Sequence, residues 1–444
     1  MRRREWLGAA AAAAFARGRR RPNIVFLLTD DQGYGDLGRH GNPVIQTPNL
    51  DRLHGESVRF TDFHASPTCA PTRTALMTGR HEFRSGVTHT IYERERMSLR
   101  ATTIAQVLKS AGYATGIFGK WHLGDAEPYQ PGRRGFDEVF IHGCGGIGQK
   151  YPGTCSDAPG NTYFNPAILH NGRFEKTGGY CTDVFFRKAT QWMDERRRSQ
   201  APFFAYIATN APHEPLECPR EYIDRYRNVT PNEMTARFFG MITNIDDNAG
   251  RLLERLKAWG IERDTVFVFM TDNGGTAGVK VFNAGMRGMK NTPYQGGTRV
   301  PAFFRWPGVF RPGDVSALTA HLDFFPTFAE LAGARIPAGL ELDGRSLVPL
   351  LRNHRAAWAD RLLFTHIGRW PTGKAAESKY ARCRVRGPRH SMVNMDRGRH
   401  GWELYDLQAD PGESTDIAAR MPELVETWNS AYDRWWDSVT PGFE

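Results

Sequence analysis

Short apolar runs alternate with amphipathic segments along most of this chain. The runs at 24–29, 113–118, 202–208 and 265–270 are largely apolar and lack the alternation of a half-exposed strand. Such runs are typical of strands that are buried on both faces of a sheet. Because helical segments separate them, the pattern predicts an α/β fold whose large, mostly parallel sheet is sandwiched between helices.

In the segments between these runs, apolar residues recur at the spacing of an α-helix. Residues 102–111 show a helical pattern that Gly112 ends, and residues 234–259 carry one apolar stripe that includes Met234. Residues 323–333 are predicted to form the last helix of the main domain. These helices would cover the two faces of the sheet.

Two regions depart from this alternation. Residues 125–181 are rich in Gly, Pro, Asn and Tyr, which predicts a long loop region with short hairpins. Past about Asn353, short strand-like runs precede a helix near 421–437. We therefore expect a catalytic domain at 22–353 and a small C-terminal α+β domain at 354–444.

The first residues have the layout of an export signal. Residues 1–21 combine a basic start, an alanine-rich apolar stretch and a small-residue end at Ala14–Ala16. Arg3 and Arg4, followed by Trp6, resemble the twin-arginine pattern. A membrane-anchoring or frayed basic helix is the alternative, although the apolar run is shorter than a stable span needs. We expect an exported protein, periplasmic or extracellular, without a stable membrane span.

The net charge and the cysteine spacing limit the classes of ligand that this chain is expected to bind. The formal net charge is +10, but the arginines are scattered and no nucleic-acid-binding signature accompanies them, so we expect no nucleic-acid partner. A dispersed basic excess suits an anionic small molecule or polysaccharide. The six cysteines include no CxxC pair, which is not the spacing of a zinc site. Outside the cytosol some of them can pair, and the pairing stays open.

Polar side chains follow the predicted strands, at the ends where ligands gather in open α/β sheets. Taken singly, each is more typical of a turn, a helix cap, a surface charge or a satisfied histidine. Taken together, carboxylate and amide oxygens favour Ca²⁺ or Mg²⁺, and neighbouring basic groups suit an oxyanion. The residues concerned are Asp30, Asp31, Lys120, His122, His213, Asp272 and Asn273.

One block identifies a family resemblance. The stretch CAPTR from Cys69 to Arg73, continuing through LMTGR to Arg80, resembles the signature of the type I sulfatases. The blocks TDDQGYGDLG, GKWHLG, APHEP, TDNGG and GMKNTPYQGGTRVP also resemble family blocks and follow the family order. The resemblance covers residues 22 to roughly 350, and the C-terminal unit is similar to the family's small domain. It implies the fold of the alkaline phosphatase-like superfamily.

The resemblance implies a modified nucleophile. Cys69 would be oxidised to formylglycine by a maturation enzyme that recognises Pro71 and Arg73. One hydroxyl of the hydrated aldehyde would attack the sulfur of the substrate, and the resulting hemiacetal sulfate would collapse to regenerate the aldehyde. The modified residue would share a divalent cation, Ca²⁺ with Mg²⁺ as the alternative, with four other ligands. Those ligands are Asp30, Asp31, Asp272 and Asn273.

The resemblance also implies roles for the basic residues. Arg73 would steady the hydrated aldehyde and the metal site. Lys120 and Lys290 would neutralise the sulfate oxygens. His213 would protonate the departing alcohol, and His122 would take the proton from the second hydroxyl.

The expected activity is hydrolysis of a sulfate monoester, with a sulfated saccharide as the preferred substrate and an aryl sulfate as a surrogate. A phosphonate or phosphate ester hydrolase of the same superfamily is the alternative. A non-catalytic glycan-binding protein with an unconverted cysteine is a third hypothesis.

Some positions depart from the family pattern or stay ambiguous. Gln295 stands where the family often has glutamate, which removes a carboxylate expected near Lys290. Trp428, Trp435 and Trp436 have helical spacing, which favours a core position over carbohydrate stacking. For several other residues a surface loop is favoured over sugar contact. These are Arg134, His142, Tyr151, Asn161, Tyr163 and Asn165.

Overall fold

The computed structural model describes residues 21–149, 157–199 and 201–440. The predicted export signal, apart from Arg21, lies outside the described residues, as do Tyr151 and Cys155. Among the described helices, none combines the length and the apolar character that crossing a bilayer requires.

A mixed sheet forms the centre of the main unit. The described strands that precede the C-terminal unit are β1 (Asn23–Thr29), β2 (Val58–Phe60), β3 (Phe63–His64), β4 (Ala114–Lys120), β5 (Glu138–His142), β6 (Ala167–His170), β7 (Arg173–Lys176), β8 (Phe203–Ala208), β9 (Thr265–Thr271), β10 (Ala302–Arg305), β11 (Gly313–Val315) and β12 (Thr319–Ala320). Within the described residues, ten of them form one sheet in the order β11-β2-β10-β9-β1-β8-β4-β5-β6-β7. The central strands from β9 to β5 are parallel, and antiparallel pairs flank them on both sides. The predicted large α/β sheet is confirmed.

Helices cover both faces of this sheet. The described α-helices are α1 (Pro48–Gly55), α2 (Cys69–Thr78), α3 (Ile104–Ser110), α4 (Cys181–Arg198), α5 (Arg220–Asp224), α6 (Glu233–Ala258), α7 (Gln295–Thr298), α8 (Phe324–Leu331), α9 (Val348–Arg352) and α10 (Pro422–Val439). Ile24 and Phe26 of β1 share one core with α3 and α8, whereas Val25 and Leu27 share the other with α4 and α6. Strand β1 is apolar on both faces because each face meets a helical layer.

The register of the central strands decides where their ends lie. Thr29 of β1 pairs with Thr271 of β9, so Asp30 and Asp272 follow side by side. The Asp272 backbone N–H donates to the Thr29 carbonyl at 3.0 Å and extends this register by one step. A slip of one residue would turn every buried side chain to the wrong face. The apolar cores therefore fix the positions of these two carboxylates.

Three expectations about elements need correction. The region 125–181 contains the predicted hairpin, β6–β7, but also β5, which is a parallel strand of the main sheet. Strand β5 has only five residues, too short a run to stand out from a glycine-rich background. Helix α8 is not the last helix of the main unit, because α9 follows. Met234 is 56% exposed, since the first turn of α6 projects beyond the core that its later turns contact.

The C-terminal unit is a separate small α+β arrangement. Its strands are β13 (Leu363–His366), β14 (Cys383–Arg386), β15 (His390–Asn394) and β16 (Trp402–Asp406). They form an antiparallel sheet in chain order. Helix α10 contributes Trp428, Trp435 and Trp436 to the core of this unit, which confirms their predicted burial. Phe83 of the main unit packs into the same core. The boundary between 353 and 354 stays a prediction.

The described cysteines fall into two classes. Cys144 is disulfide-bonded. Cys69, Cys181, Cys218 and Cys383 are buried and free. The four free thiols are therefore shielded from solvent in the folded chain.

The buried carboxylate of Asp323 is expected to contribute strongly to stability. Both of its oxygens accept hydrogen bonds from the Arg361 guanidinium, and one also accepts the Arg345 backbone N–H at 2.8 Å. In Asp323→Ala the Arg361 charge loses its partner while staying buried. We expect the free energy of unfolding, measured in urea, to fall by about 3 to 5 kcal/mol. The exposed Glu254 is the control, and an equal loss in Glu254→Ala would contradict this prediction.

Buried neutral histidines are expected to make the fold sensitive to acid. Burial lowers the pKa of His40, His321 and His366 to about 4. In His366, Nδ1 accepts the Gly368 N–H at 2.8 Å and Nε2 donates to a carbonyl, so a second proton has no acceptor. Because these folded-state pKa values lie below the usual value of 6.5, their contribution is present above pH 6.5 and is lost as the pH falls towards 4.

The midpoint of urea unfolding should therefore change less favourably between pH 7 and pH 5 in the wild type than in His366→Asn, whose neutral side chain cannot take up the proton. Burial raises the pKa of Asp36 and Glu95 to about 7, which acts in the opposite direction but is common to both proteins. His400→Asn, at an exposed position, should keep the full pH dependence. An unchanged pH dependence in His366→Asn would show that this histidine is not a source of the effect.

Candidate active site

Helix α2 positions the candidate nucleophile. Cys69 is the first residue of α2, Thr68 precedes it in an extended conformation, and Gly79 with φ of 65° ends the helix. Pro71 fits in the first turn, where a missing N–H removes no intrahelical hydrogen bond. All ten residues of α2 are buried. The helix thereby holds the Cys69 Sγ atom 3.3 Å from Asp30 Oδ1.

The thiol of Cys69 is poorly suited to act unmodified. Burial raises its pKa to about 12, and the negative charge of Asp30 adds to the effect. Its Sγ donates to the Asp30 carboxylate, and the positive charges of Lys120 and Lys290 lower the pKa of the thiol by less than burial raises it. Reactive cysteines require a lowered pKa, and the surroundings of Cys69 act in the opposite direction.

Three carboxylates surround this sulfur. One oxygen each from Asp30, Asp31 and Asp272 lies within 4.8 Å of the others and of Cys69 Sγ. Asp31 has a φ of 65°, a left-handed conformation that is costly for a residue with a side chain and turns the chain sharply after β1. Its backbone N–H donates to Asp272 Oδ1 at 3.2 Å. Buried carboxylates at this spacing need cations nearby.

Two lysines supply part of that charge. Lys120, at the end of β4, places Nζ 2.5 Å from Asp30 Oδ2. Lys290 places Nζ 2.6 Å from Asp31 Oδ1. Burial acts to raise the pKa of Asp31, but Lys290 and the other positive groups outweigh it and hold the pKa well below its usual range.

Arg73 supplies the third cation and ties together three elements. Its Nη2 and Nε atoms donate to Asp272 Oδ2 at 2.7 and 3.1 Å, and Nη1 donates to the Lys120 carbonyl at 3.2 Å. Burial nevertheless raises the pKa of Asp272 to about 6, and the negative charge of the nearby Asp30 adds to this effect. Arg73 thus links α2 to the ends of β4 and β9.

Asn273 indicates what the carboxylate cluster can hold. Its Nδ2 donates to Asp31 Oδ1 at 2.9 Å and to the Gly274 carbonyl at 3.0 Å. Its Oδ1 is buried and has no hydrogen-bond partner among the described residues. A buried amide oxygen beside three carboxylates has the chemistry of an oxygen-ligand site for a hard divalent cation.

His122 has one free ring nitrogen. Nε2 donates to the Thr90 carbonyl at 2.7 Å, while Nδ1 is buried without a hydrogen-bond partner in the described part of the chain. Burial and the positive charge of Lys120 hold the pKa of His122 well below its usual value. The residue is therefore neutral, with a lone pair on Nδ1. Its φ of 61° places a second left-handed residue in this region.

His213 also lies close to the carboxylates. Its Nδ1 donates to the Glu214 carbonyl at 2.7 Å, and its Nε2 lies 4.0 Å from Asp31 Oδ2. Burial and the charge of Lys290 lower the pKa of His213 to about 4. The structure thus gathers all the predicted site residues around one cluster. They are Asp30, Asp31, Cys69, Arg73, Lys120, His122, His213, Asp272, Asn273 and Lys290.

A glycine pair that the sequence analysis did not single out lies against both histidines. A Cβ atom on Gly145 would stand 3.0 Å from His122 Cε1, and one on Gly146 would stand 2.9 Å from His213 Nδ1. The loop can approach the two rings this closely only because these residues lack side chains. The adjacent glycines were the available signal, but they fell in the region interpreted as loop.

The structure also places two residues for which the sequence left surface position and sugar contact open. Tyr163, predicted on the surface, is buried, and its hydroxyl donates to the Asn210 and His213 carbonyls at 2.8 Å. His142 is also buried, which corrects its predicted surface position, and its pKa is held well below the usual value by burial and by the Lys120 charge. Both residues therefore belong to the walls around the site.

The other residues for which the sequence left surface position and sugar contact open make their hydrogen bonds away from the carboxylate cluster. Arg134, predicted on the surface, is buried and donates to three backbone carbonyls, which corrects the prediction and gives it a structural role. Asn161 is half-buried and binds Asp157, whereas Asn165 is exposed. Gln295 donates to the Pro411 carbonyl at 2.9 Å, so its side chain contacts the C-terminal unit.

Comparison with known proteins shows the family of this chain. The sulfatase family model matches residues 22–334, and the model for the C-terminal part of N-sulphoglucosamine sulphohydrolase matches residues 289–429. N-acetylgalactosamine-6-sulfatase of Mus musculus is 34% identical over 78% of this chain and 69% of its own. Arylsulfatase A of Homo sapiens is 31% identical over 95% of this chain and 88% of its own.

Solved structures show the same fold. The complex of Ps i-CgsB with k-i-k-neocarrahexaose matches with a TM-score of 0.84 and 29% identity, over 94% of this chain and 93% of that chain. The phosphonate monoester hydrolase of Agrobacterium radiobacter matches with a TM-score of 0.66 and 21% identity, over 94% of this chain and 95% of that one. The second likeness concerns the fold alone.

These comparisons decide between the three hypotheses from the sequence. The curated relatives are named sulfatases, whereas the likeness to a phosphorus ester hydrolase is one of fold. The alternatives of a phosphorus ester hydrolase and of a non-catalytic glycan-binding protein are not supported. The chain belongs to the sulfatase family of sulfuric ester hydrolases, within the alkaline phosphatase-like superfamily.

Proposed function

We propose that this protein hydrolyses a sulfate monoester of a saccharide, with a formylglycine made from Cys69 as the source of the nucleophile. The observation that carries this proposal is the placement of Cys69 Sγ at the start of α2, within 4.8 Å of oxygens from Asp30, Asp31 and Asp272. A thiol whose pKa is raised to about 12 in such a setting has no use as a thiolate. An aldehyde at the same position would bring oxygen donors to the carboxylate cluster.

Maturation and export complete this proposal. Pro71 and Arg73 are buried within α2 in the folded chain. A maturation enzyme that recognises them must therefore act before the chain folds. The amino-terminal export signal would carry the protein to the periplasm or the exterior, where sulfated polysaccharides occur.

A divalent cation would be held by the oxygens of Asp30, Asp31, Asp272 and Asn273. Ca²⁺ fits best because it accepts carboxylate and amide oxygens in flexible geometry, and Mg²⁺ is the smaller alternative. When bound, the cation supplies positive charge that acidifies a hydroxyl of the hydrated aldehyde and polarises the sulfate. The unpartnered Oδ1 of Asn273 supports this assignment.

The lysines would bind the sulfate oxygens of the substrate. Lys120 and Lys290 now pair with Asp30 and Asp31, at 2.5 and 2.6 Å. If these carboxylates held a cation, Lys120 and Lys290 would be free to pair with the oxygens of an anionic substrate. Arg73 would stay on Asp272 and keep that ligand oriented.

The histidines would move the protons. His122 keeps Nδ1 unprotonated by donating from Nε2 to the Thr90 carbonyl, so it can accept a proton from the second hydroxyl. His213 would donate to the departing alcohol, for which it needs a second proton. A bound sulfate would raise the pKa of His213 by offsetting the positive charge of Lys290.

The substrate class follows from the relatives. One curated relative is named for N-acetylgalactosamine 6-sulfate, and one solved structure holds k-i-k-neocarrahexaose. Both names describe saccharides. We infer that a sulfated saccharide is the natural substrate and that aryl sulfates serve as assay surrogates.

The nucleophile is tested by comparing two cysteines. Cys69→Ala should reduce turnover of 4-nitrophenyl sulfate by about 10³-fold or more, because the nucleophile is lost. Cys218→Ala removes another buried free thiol and should keep turnover. Mass spectrometry of protein made with a maturation enzyme should show the Cys69 peptide with a carbonyl oxygen in place of the thiol group. Full activity of Cys69→Ala would rule out the proposed nucleophile.

The metal site is tested by chelation and by one amide. Treatment with EGTA should abolish turnover, and added Ca²⁺ should restore it. In Asn273→Ala one oxygen ligand is lost, so half-maximal activation should need roughly tenfold more Ca²⁺. Ca²⁺ should also raise the Tm of the wild-type chain more than that of Asn273→Ala. Asn353→Ala, at an exposed asparagine, is the control, and equal Ca²⁺ responses in both variants would contradict the assignment.

A further inference from the structure

A cavity outside the proposed catalytic site lies between the main unit and the C-terminal unit. Its volume is about 570 Å³. Its walls come from the segment after α2, from the segments on either side of α9, and from β13 and α10. None of the proposed catalytic or metal-binding residues lines it. We call it the arginine pocket, after Arg84, Arg345, Arg361 and Arg434, which line it.

The arginine pocket carries an excess of positive charge. Four arginines face it, and Asp343 is the carboxylate in its lining. Asp343 lies 3.2 Å from Arg84 Nε, and Arg361 is paired with Asp323 behind the wall. Two of the four guanidinium groups therefore have carboxylate partners, while Arg345 and Arg434 have none within the described residues.

The two remaining guanidinium groups lack a carboxylate partner among the described residues, and that of Arg345 lies over the Trp358 ring at 5.9 Å. Arg434 is exposed and makes no ion pair in the described part of the chain. Arg345 donates from Nη1 to the Ala359 carbonyl at 2.6 Å. Burial lowers the pKa of Arg345, and repulsion from Arg361 adds to the effect. An anion in the pocket would offset the repulsion between Arg345 and Arg361.

The rest of the lining suits a sugar more than a bare ion. Leu322, Leu363, Phe364 and Trp435 supply apolar surface on the same walls. A volume of about 570 Å³ lies within the usual range for sites that enclose organic ligands. Apolar surface beside planar guanidinium groups combines contact with a sugar ring and recognition of its anionic substituent.

We propose that the arginine pocket is a second, non-catalytic binding site for a sulfated saccharide. The ligand class rests on the proposed function, since a polymeric substrate carries several sulfate groups. Helix α2 has ten residues and links the two sites, with Cys69 at one end and the pocket beyond Gly79 at the other. Its length corresponds to about 15 Å. Holding one part of a chain in the pocket would raise the effective concentration of the rest near the catalytic site.

The proposal is tested by calorimetric titration of protein carrying Cys69→Ala, which prevents turnover. The pocket variant adds Arg345→Ala and Arg434→Ala. The matched control adds Arg100→Ala and Arg335→Ala, at two exposed arginines outside the pocket lining, and changes the net charge equally. The probes are k-i-k-neocarrahexaose, the same hexasaccharide without its sulfate groups, and sodium sulfate.

We expect the sulfated hexasaccharide to bind the pocket variant at least tenfold more weakly than the control, with no binding of the unsulfated probe. Equal binding to the pocket variant and the control would overturn the proposal. So would an effect of the pocket variant on sodium sulfate binding alone, because the pocket would then be a site for the free ion.

A second measurement separates this proposal from the proposed function. In chains that retain Cys69, the pocket substitutions should leave kcat/KM for 4-nitrophenyl sulfate unchanged. The wild-type protein could show no turnover while hexasaccharide binding still depends on Arg345 and Arg434. That result would contradict the proposed function and leave the pocket proposal standing. Conversely, the wild-type protein could show normal turnover while hexasaccharide binding is the same with and without these arginines. That result would contradict the pocket proposal and leave the proposed function standing.

Discussion

The balance of buried charge at the end of the parallel strands is the constraint on which the site depends. Carboxylates at this spacing repel one another, and burial removes the water that would screen them. Each therefore has its own cation, and each cation comes from a different part of the chain. The pairs are Asp30 with Lys120, Asp31 with Lys290, and Asp272 with Arg73. Strands β1, β4 and β9 and helix α2 must all be in place before the charges balance.

This balance also bears on the proposed chemistry. In that proposal the lysines that neutralise the carboxylates in this structure would bind sulfate when the carboxylates hold a cation. Local strain accompanies the arrangement, since Asp31 and His122 both adopt left-handed backbone conformations. Such strain persists only where the surrounding packing is rigid, and the buried helix α2 and the double-faced sheet provide that rigidity.

The two units of the chain are joined through the same region. Phe83 packs into the core of the C-terminal unit, and Gln295 donates to the Pro411 carbonyl. The segment that follows α2 therefore forms part of the interface where the arginine pocket lies. Helix α2 connects the nucleophile at one end with this interface at the other, so the C-terminal unit supports the site without supplying any of the proposed catalytic residues.

The sequence by itself determined the buried strands, the residues that follow them and the identity of the Cys69 block, because each is a contiguous signal. Only the tertiary structure decided that β5 joins the main sheet, that Tyr163 is buried, and that Gly145 and Gly146 contact both histidines. It alone showed that Asn273 keeps a buried oxygen that has no hydrogen-bond partner among the described residues. These features depend on pairing between residues far apart in the chain, whereas hydrophobic period and local motifs report only on neighbours.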